Sequence, residues 1–414
     1  MTQLEQSFHK VFEDTKDNSP SFWKEQRTSA LETFQKQGIP TNKNEEWKYT
    51  LLKGVSDKDY SNVASISLAQ AKEKKIGGLE GVELYFVNGK LLNEVEGIHV
   101  SPIVEGASVL SKFTAQKPYT INEPFASANI ASSDNGLIIT LEESVDKPII
   151  CYFNSDATQD HSLSLPQVYV HAKPSVQASF VAIYQTEGGN DSFTNNQLSF
   201  YVEKAARVSL SVIQHENPQA SIVANTNVIQ ERDSYFSSTT ISTQGKVIRN
   251  SLAITSVGEN TESHMFGLYM LDGKTHVDNH TVIDHTKPNC YSNELYKGVL
   301  DGESRGVFNG KVYVRQEAQK TNAFQSNKNI LISDNAKINT KPQLEIWADD
   351  VKCSHGATTG QLDKEALFYL MARGIDRKRA ILLLLEAFSG EVIEQLKHDA
   401  LKEYVVHILS ERLG

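Results

Sequence analysis

Lys341-Pro342-Gln343-Leu344-Glu345-Ile346, followed by Asp349-Asp350-Val351-Lys352-Cys353-Ser354-His355-Gly356-Ala357-Thr358 and then Leu367-Phe368-Tyr369-Leu370-Met371-Ala372-Arg373-Gly374-Ile375, takes the chain from an alternating strand pattern into a helix. Successive side chains of a strand point to opposite faces, so residues two apart share one. Cys353 and His355 are therefore predicted to look out together, with Ser354 on the other side. A thiol beside an imidazole is a soft ligand pair suited to iron, zinc or copper. A lone Cys-x-His pair is more often a buried cysteine next to a surface histidine, so the pair alone decides nothing.

Upstream, the same alternation runs from about Val82 to Ala348. Ala206, Val208, Leu210 and Val212 alternate with Arg207, Ser209 and Ser211. Phe308, Gly310, Val312 and Val314 alternate with Asn309, Lys311, Tyr313 and Arg315, and Leu344, Ile346 and Ala348 with Glu345, Trp347 and Asp349. Strand-like pieces are divided by Gly, Asn, Asp and Ser, with no convincing helix among them. Such a stretch fits stacked sandwiches or a β-solenoid. No strict repeat is visible, and periodicity leaves both open.

Both ends read as helical. Leu4, Phe8, Val11 and Phe12 share one helical stripe. A second helix has Ser19 as predicted N-cap, Pro20 in its first position, and Gly38 with Pro40 to end it. Phe22, Trp23, Ala30, Leu31 and Phe34 line its apolar side. Beyond Gly356, a helix from Asp363 to Arg373 stops at Gly374, and Asp376 caps the next. That helix carries Ala380 to Phe388, apolar nearly all round, and wants cover on several sides. A last helix is predicted from Ser389 or Gly390, with Ile393, Leu396, Ala400, Leu401, Tyr404, Ile408 and Leu409 on one stripe. This apolar surface either packs inside the protein or is partly offered to another subunit by a module separable from the β region.

At 414 residues the chain exceeds the ~250–300 at which single cores stop growing. It has several domains or is an elongated solenoid. A net charge of −10 and a pI near 5.7 argue against nucleic acid. Met1 to Asp14 has no apolar signal region. The longest apolar run, Ala380 to Leu385, is far below the ~20 residues of a membrane helix. The expectation is a cytoplasmic protein without membrane contact. Cys151, Cys290 and Cys353 are odd in number and scattered, which suits a reducing compartment. Three cysteines cannot supply the four thiolates of an ordinary iron–sulfur cluster. No phosphate-binding G-x-x-x-x-G-K-[ST] loop occurs, so any nucleotide hydrolysis belongs to a partner. A β-helical carbohydrate-active enzyme would need paired carboxylates, and nothing marks such a pair. His276, His280, His285 and Cys290, with His264, Asp278 and Asp284 nearby, read as a metal site or as a stacked polar sheet face; their spacing matches no closed zinc pattern.

Longer strings narrow the choice. Asn44-Glu45-Glu46-Trp47-Lys48-Tyr49-Thr50, Leu295-Tyr296-Lys297-Gly298-Val299-Leu300, Val307-Phe308-Asn309-Gly310-Lys311 and Ala318-Gln319-Lys320-Thr321-Asn322-Ala323-Phe324-Gln325 resemble the SufB/SufD family of iron–sulfur cluster assembly proteins, as do His285, Pro288, Ser292 and Ala387-Phe388. Phe86-Val87-Asn88-Gly89-Lys90 and Phe125-Ala126-Ser127-Ala128-Asn129 are looser echoes. Ser354, Gly356 and Gln361-Leu362-Asp363 are similar to the SufD subtype, and Asn327 stands where SufB carries its essential cysteine.

The resemblance implies a mainly β fold. It is a right-handed parallel β-helix over residues 82–355, with an N-terminal helical region (1–81) and a C-terminal helical, ATPase-binding region (356–414). With an assumed ~20–24 residues per turn and ~4.8 Å between strands, this predicts roughly eleven to thirteen rungs and a rod of about 50–60 Å. The implied role is a non-catalytic scaffold that pairs with a SufB-like paralogue and holds a SufC-like ABC ATPase. Leu367, Leu370, Arg373, Gly374, Ile381, Leu384, Leu385 and Phe388 are the expected ATPase-binding residues. A nascent cluster would form at the junction of the two paralogues, with His355 as a transient shared ligand or proton shuttle and Cys353 beside it. The resemblance implies no cofactor held stably by this chain alone, with a flavin elsewhere in the complex and a homodimer through the β-helix when the chain is isolated. The competing role is a purely structural paralogue that stabilises SufB.

Overall fold

The computed structural model describes residues 1–115 and 124–413. Two ten-stranded, largely parallel sheets face each other, and each turn of the chain gives one strand to each. Gln177, Arg207, Tyr235, Glu262, Tyr291, Asn322 and Lys352 occupy one column, so a turn takes 27–31 residues. The chain is thus a parallel β-solenoid, as expected, but of about eight turns and about 40 Å in length at the usual strand spacing. The expectation of eleven to thirteen rungs assumed too short a turn.

The corners explain how such long turns stack. Ser175, Ala205, Asp233, Asn260, Asn289 and Lys320 occupy the same corner of successive turns, each with φ between 58° and 64°. Each corner N–H donates to a carbonyl one turn on: Ala205 to Arg232 at 3.0 Å, Asp233 to Glu259 at 3.0 Å, Asn289 to Gln319 at 2.9 Å. The left-handed corner costs a residue with a Cβ some energy, and the bond to the next turn offsets it.

Between the sheets lies the main core, with Phe180 and Phe200 edge to face at 5.4 Å and Phe200 and Phe236 tilted against each other at 5.5 Å. Both outer faces are covered as well. On one sheet Ile183, Ile213, Ile241, Leu268 and Val299 pack under Leu385, Val392, Leu396, Leu401, Val405 and Leu409 of the C-terminal helices. On the other, Phe193 and Val223 pack with Phe8, Trp47 and Phe125. Strands such as His276–His285 are consequently buried throughout, and the two-residue alternation is blurred there.

Several helix expectations need correction. Helices Ala107–Ala115 and Pro124–Ser132 lie inside the region expected to be helix-free. The second N-terminal helix is Ser21–Gln37 with Pro20 as N-cap. Ser19 Oγ instead accepts from buried Arg27 at 2.8 Å. At the other end Arg377–Ile393 runs straight through Ser389 and Gly390, and the last helix is Asp399–Leu413. An interior helical glycine costs about 1 kcal/mol. Seating Val392 and Ile393 on the sheet outweighs it.

Candidate functional site

The solenoid ends in two bare strands. Lys337–Ile346 and Lys352–Gly360 are the last members of their sheets, each paired on one side only among the described residues. Every residue of Lys352–Gly360 except Cys353 is exposed, as are Phe324, Ile346 and Trp347 at the same end. Ala323 pairs with Cys353 and Gln325 with His355, and Ala323 and Gln325 are buried. Cys353 and His355 therefore share the face that looks toward the solenoid interior. Cys353, half-buried, packs against the main core, and burial pushes its thiol above the usual range. His355, on the terminal rung, is exposed.

Behind this pair the interior turns polar. Asn327, at 0% exposure, donates to Tyr296 O and Tyr269 Oη, both at 3.1 Å, and accepts from Asn329 at 2.7 Å. Its amide is thus used up in structure. Glu294 and Gln325, one turn apart, are joined at 2.7 Å. Sequence reading missed them, because residues a turn apart can be matched only once the turn length is known.

The histidine-rich stretch does not converge on a metal. Among the described residues no group of three or more His, Cys, Asp or Glu could hold one. His276, Asp278 and His280 do share a face, and it meets the N-terminal segment. Asp278 pairs with Arg249 at 2.5 Å and with His280 Nε2 at 3.0 Å. Thr50 donates to Asp278 and contacts His276 at 2.9 Å. Glu46 bonds His280 Nδ1 at 3.2 Å, Asn309 at 3.1 Å and Lys311. Arg249 lies 3.8 Å from the Trp47 ring. Burial opposes charge on Asp278, yet His280, Arg249 and Thr50 hold its pKa well below the usual carboxylate range. His280, likewise opposed by burial, is raised by Asp278 and Glu46. This is a clasp fastening Glu46–Thr50 to the sheet. His285 stands apart, bonded to Ser292 at 2.9 Å and lowered by burial to about 4. Cys290 is buried and bonds the Lys287 carbonyl at 3.2 Å.

The expected ATPase-binding residues divide in two. Leu385 is fully buried on the solenoid, with Ile381 and Phe388 packed beside it. Lys297 donates to the Phe388 carbonyl at 2.7 Å. Leu367, Leu370 and Leu384 are half-buried, and Arg373 and Gly374 are exposed. The preceding helix, Lys364–Ala372, has no buried residue and displays Phe368, Tyr369 and Met371, exposed by 73%, 58% and 42%. These three were missed because the all-round apolar helix drew the eye. Nor is the region separable, since its later helices cover one sheet face.

Residues 153–388 match the family model described as "SUF system FeS cluster assembly, SufBD core domain", and residues 1–146 match "SufBD protein N-terminal region". The chain is 29% identical to the iron-sulfur cluster assembly protein SufD of Escherichia coli, over 99% of this chain and 96% of that protein. It is 29% identical to an iron-sulfur cluster assembly SufBD family protein of Synechocystis, over 86% of this chain and 84% of the relative. A chloroplastic protein of Arabidopsis thaliana is 28% identical over 91% and 83%. Among the described residues no helix is long and apolar enough to cross a membrane.

Proposed function

Because this chain belongs to the SufBD family of iron–sulfur cluster assembly proteins, we propose that it is the SufD-like half of a two-chain cytoplasmic scaffold. Its bare end joins a SufB-like paralogue, and its Lys364–Ala372 helix carries a SufC-like ATPase. The observation that carries this reading is the terminal rung: a nine-residue edge strand, unpaired on one side, with Cys353 and His355 on its inward face. An unguarded edge of that length is a template for another chain.

The cluster is cargo at this junction. A scaffold must hold iron and sulfide firmly enough to build and loosely enough to release. Ligands divided between two chains meet that need, since a small movement of the interface makes or breaks the set. A neutral imidazole binds iron through its free lone pair. Cys353, half-buried against the main core, supports the rung.

The test is His355→Ala in the assembled complex. Folding and subunit assembly should persist, while iron and acid-labile sulfide per complex fall at least tenfold. His407, exposed on the last helix, serves as control. His398 bonds Ser179 at 2.7 Å and is unsuitable. Wild-type cluster formation in His355→Ala would reduce the chain to a stabilising paralogue.

A further inference from the structure

Met265, Glu294, Gln325 and His355 stand in one inward-facing column, on successive turns. Glu294 and Gln325 are 1% and 3% exposed. Two polar side chains reach the Glu294 carboxylate: the Thr281 hydroxyl, from the facing sheet, and Gln325 Nε2 at 2.7 Å. Burial pushes Glu294 up to about 7, and those two bonds pull the other way. Because its nitrogen is committed to Glu294, Gln325 is left with a buried Oε1 that has no partner among the described residues. A buried carbonyl oxygen without a donor is costly, and the residue one strand spacing further along the column is His355, ~4.8 Å away at the backbone. Gly310 makes room for this amide: a Cβ there would lie 2.3 Å from Gln325 Nε2.

We propose that Gln325 Oε1 accepts the N–H of the His355 ring nitrogen that points into the solenoid, with Glu294 and Thr281 holding the amide in that sense. The other ring nitrogen then keeps its lone pair and faces the open end. Were the amide turned over, its NH2 would donate to the inner nitrogen and the N–H would point outward, where it cannot coordinate. A ligand histidine is commonly fixed in this way by the partner of its second nitrogen. Glu294 and Gln325 are positioning residues, acting through His355 without reaching the cluster. The functional consequence rests on the reading of His355 given above; the orientation itself does not.

The experiment uses the full chain alone, without partner or metal, with nitrogen-labelled histidine rings at about pH 8, above the ordinary histidine range. The His355 signals are identified by their loss in His355→Ala. One fixed tautomer is expected in the wild type. In the double variant Glu294→Leu/Gln325→Leu, which removes both members of the Glu294–Gln325 bond and orphans only the Thr281 hydroxyl, the signals should move to the tautomer average. Gly310→Ala, whose added methyl would crowd the Gln325 amide at 2.3 Å and the Phe308 ring at 2.8 Å, should do the same and stands in if the double variant fails to fold. Averaged signals in the wild type, or unchanged ones in every folded variant, overturn the proposal. In the assembled complex both variants should lower iron loading at least tenfold. Averaged signals with unchanged iron loading support the orienting chain and overturn the role given to His355 instead.

Discussion

At its N-terminal end the solenoid finishes in strands of two and four residues, Lys90–Leu91 and His99–Pro102, both paired antiparallel to their neighbours. At its C-terminal end it finishes in full strands of ten and nine residues. Both ends face the same hazard, a row of backbone groups able to pair with any passing strand. Very short edges are a common remedy, and the first end uses it. The second end keeps its length, its parallel register and an exposed rim of Phe324, Ile346 and Trp347. An edge left long beside a pair of ligand-type side chains is where the proposed partner chain would pair.

The clasp sharpens this contrast, because Glu45 of the same segment also pairs with Lys341 at 2.5 Å, on the last strand but one. The chain thus secures the flank of its open end while leaving the edge free. Asp278→Ala should separate the two functions. It removes a buried carboxylate that pairs with Arg249 at 2.5 Å, and breaking a buried pair costs about 3–5 kcal/mol. Chemical denaturation should report that loss, with pairing to the SufB-like partner unchanged at temperatures where the variant is folded. If pairing fell and stability did not, the clasp would be part of the interface.

Ala357→Pro attacks the edge itself. The Lys352 N–H donates to Thr321 O, on the paired side, so by alternation the Ala357 N–H points to the free side. Proline is tolerated on edge strands where the lost N–H faces outward. The variant should fold normally and bind the partner at least about 100-fold more weakly, close to 2.7 kcal/mol. Co-sedimentation with unaltered affinity would show that the partner does not pair along this strand.

How much of this was legible follows from the same residues. The alternation at Ala206–Val212 and Phe308–Val314 and the helical ends were readable, since each depends on local periodicity. The turn length was not. Its corners hold Ser, Ala, Asp, Asn, Asn and Lys, so the repeat lives in a backbone angle that no residue type announces. Without the turn length, Glu294 could not be set against Gln325, nor Asp278 against Arg249. His276 and His280 looked like ligands because their partners Glu46 and Thr50 lie more than two hundred residues away in sequence. Cys353 and His355 could be paired because both sit on one regular strand.

The C-terminal helices hold the same contrast on a smaller scale. Leu385 is consumed by the fold, and Leu385→Ala should cost about 2–5 kcal/mol of stability. Phe368 and Tyr369 contribute little to the fold. Phe368→Ser/Tyr369→Ser should leave the melting temperature unchanged and weaken ATPase binding at least about tenfold, as expected for large apolar anchors at an interface. A variant that co-purifies with the ATPase at full affinity would move the docking site elsewhere.

The smallest effect is the pH response of the clasp. His280 is raised in the folded chain, so its contribution is fully present below its ordinary value near 6.5 and is lost as pH rises through the folded value. Glu46 works from the other side. The His280 bond, opposed by burial and aided by Lys311, lowers it to about 2, so its contribution is present above about 4.5 and fades as pH falls from there toward 2. The segment should therefore be held most firmly at mildly acidic pH. Hydrogen exchange at Thr50, whose N–H donates to Trp47 O at 3.1 Å, reads this directly. Corrected for intrinsic rates, its protection should drop on going from about pH 6 to about pH 9, as the raised His280 loses its proton. His280→Gln should flatten that drop while keeping the low-pH limb set by Glu46. Protection that climbs steadily to alkaline pH would mean that His280 is neutral in the clasp and that Arg249 and Lys311 alone balance its carboxylates.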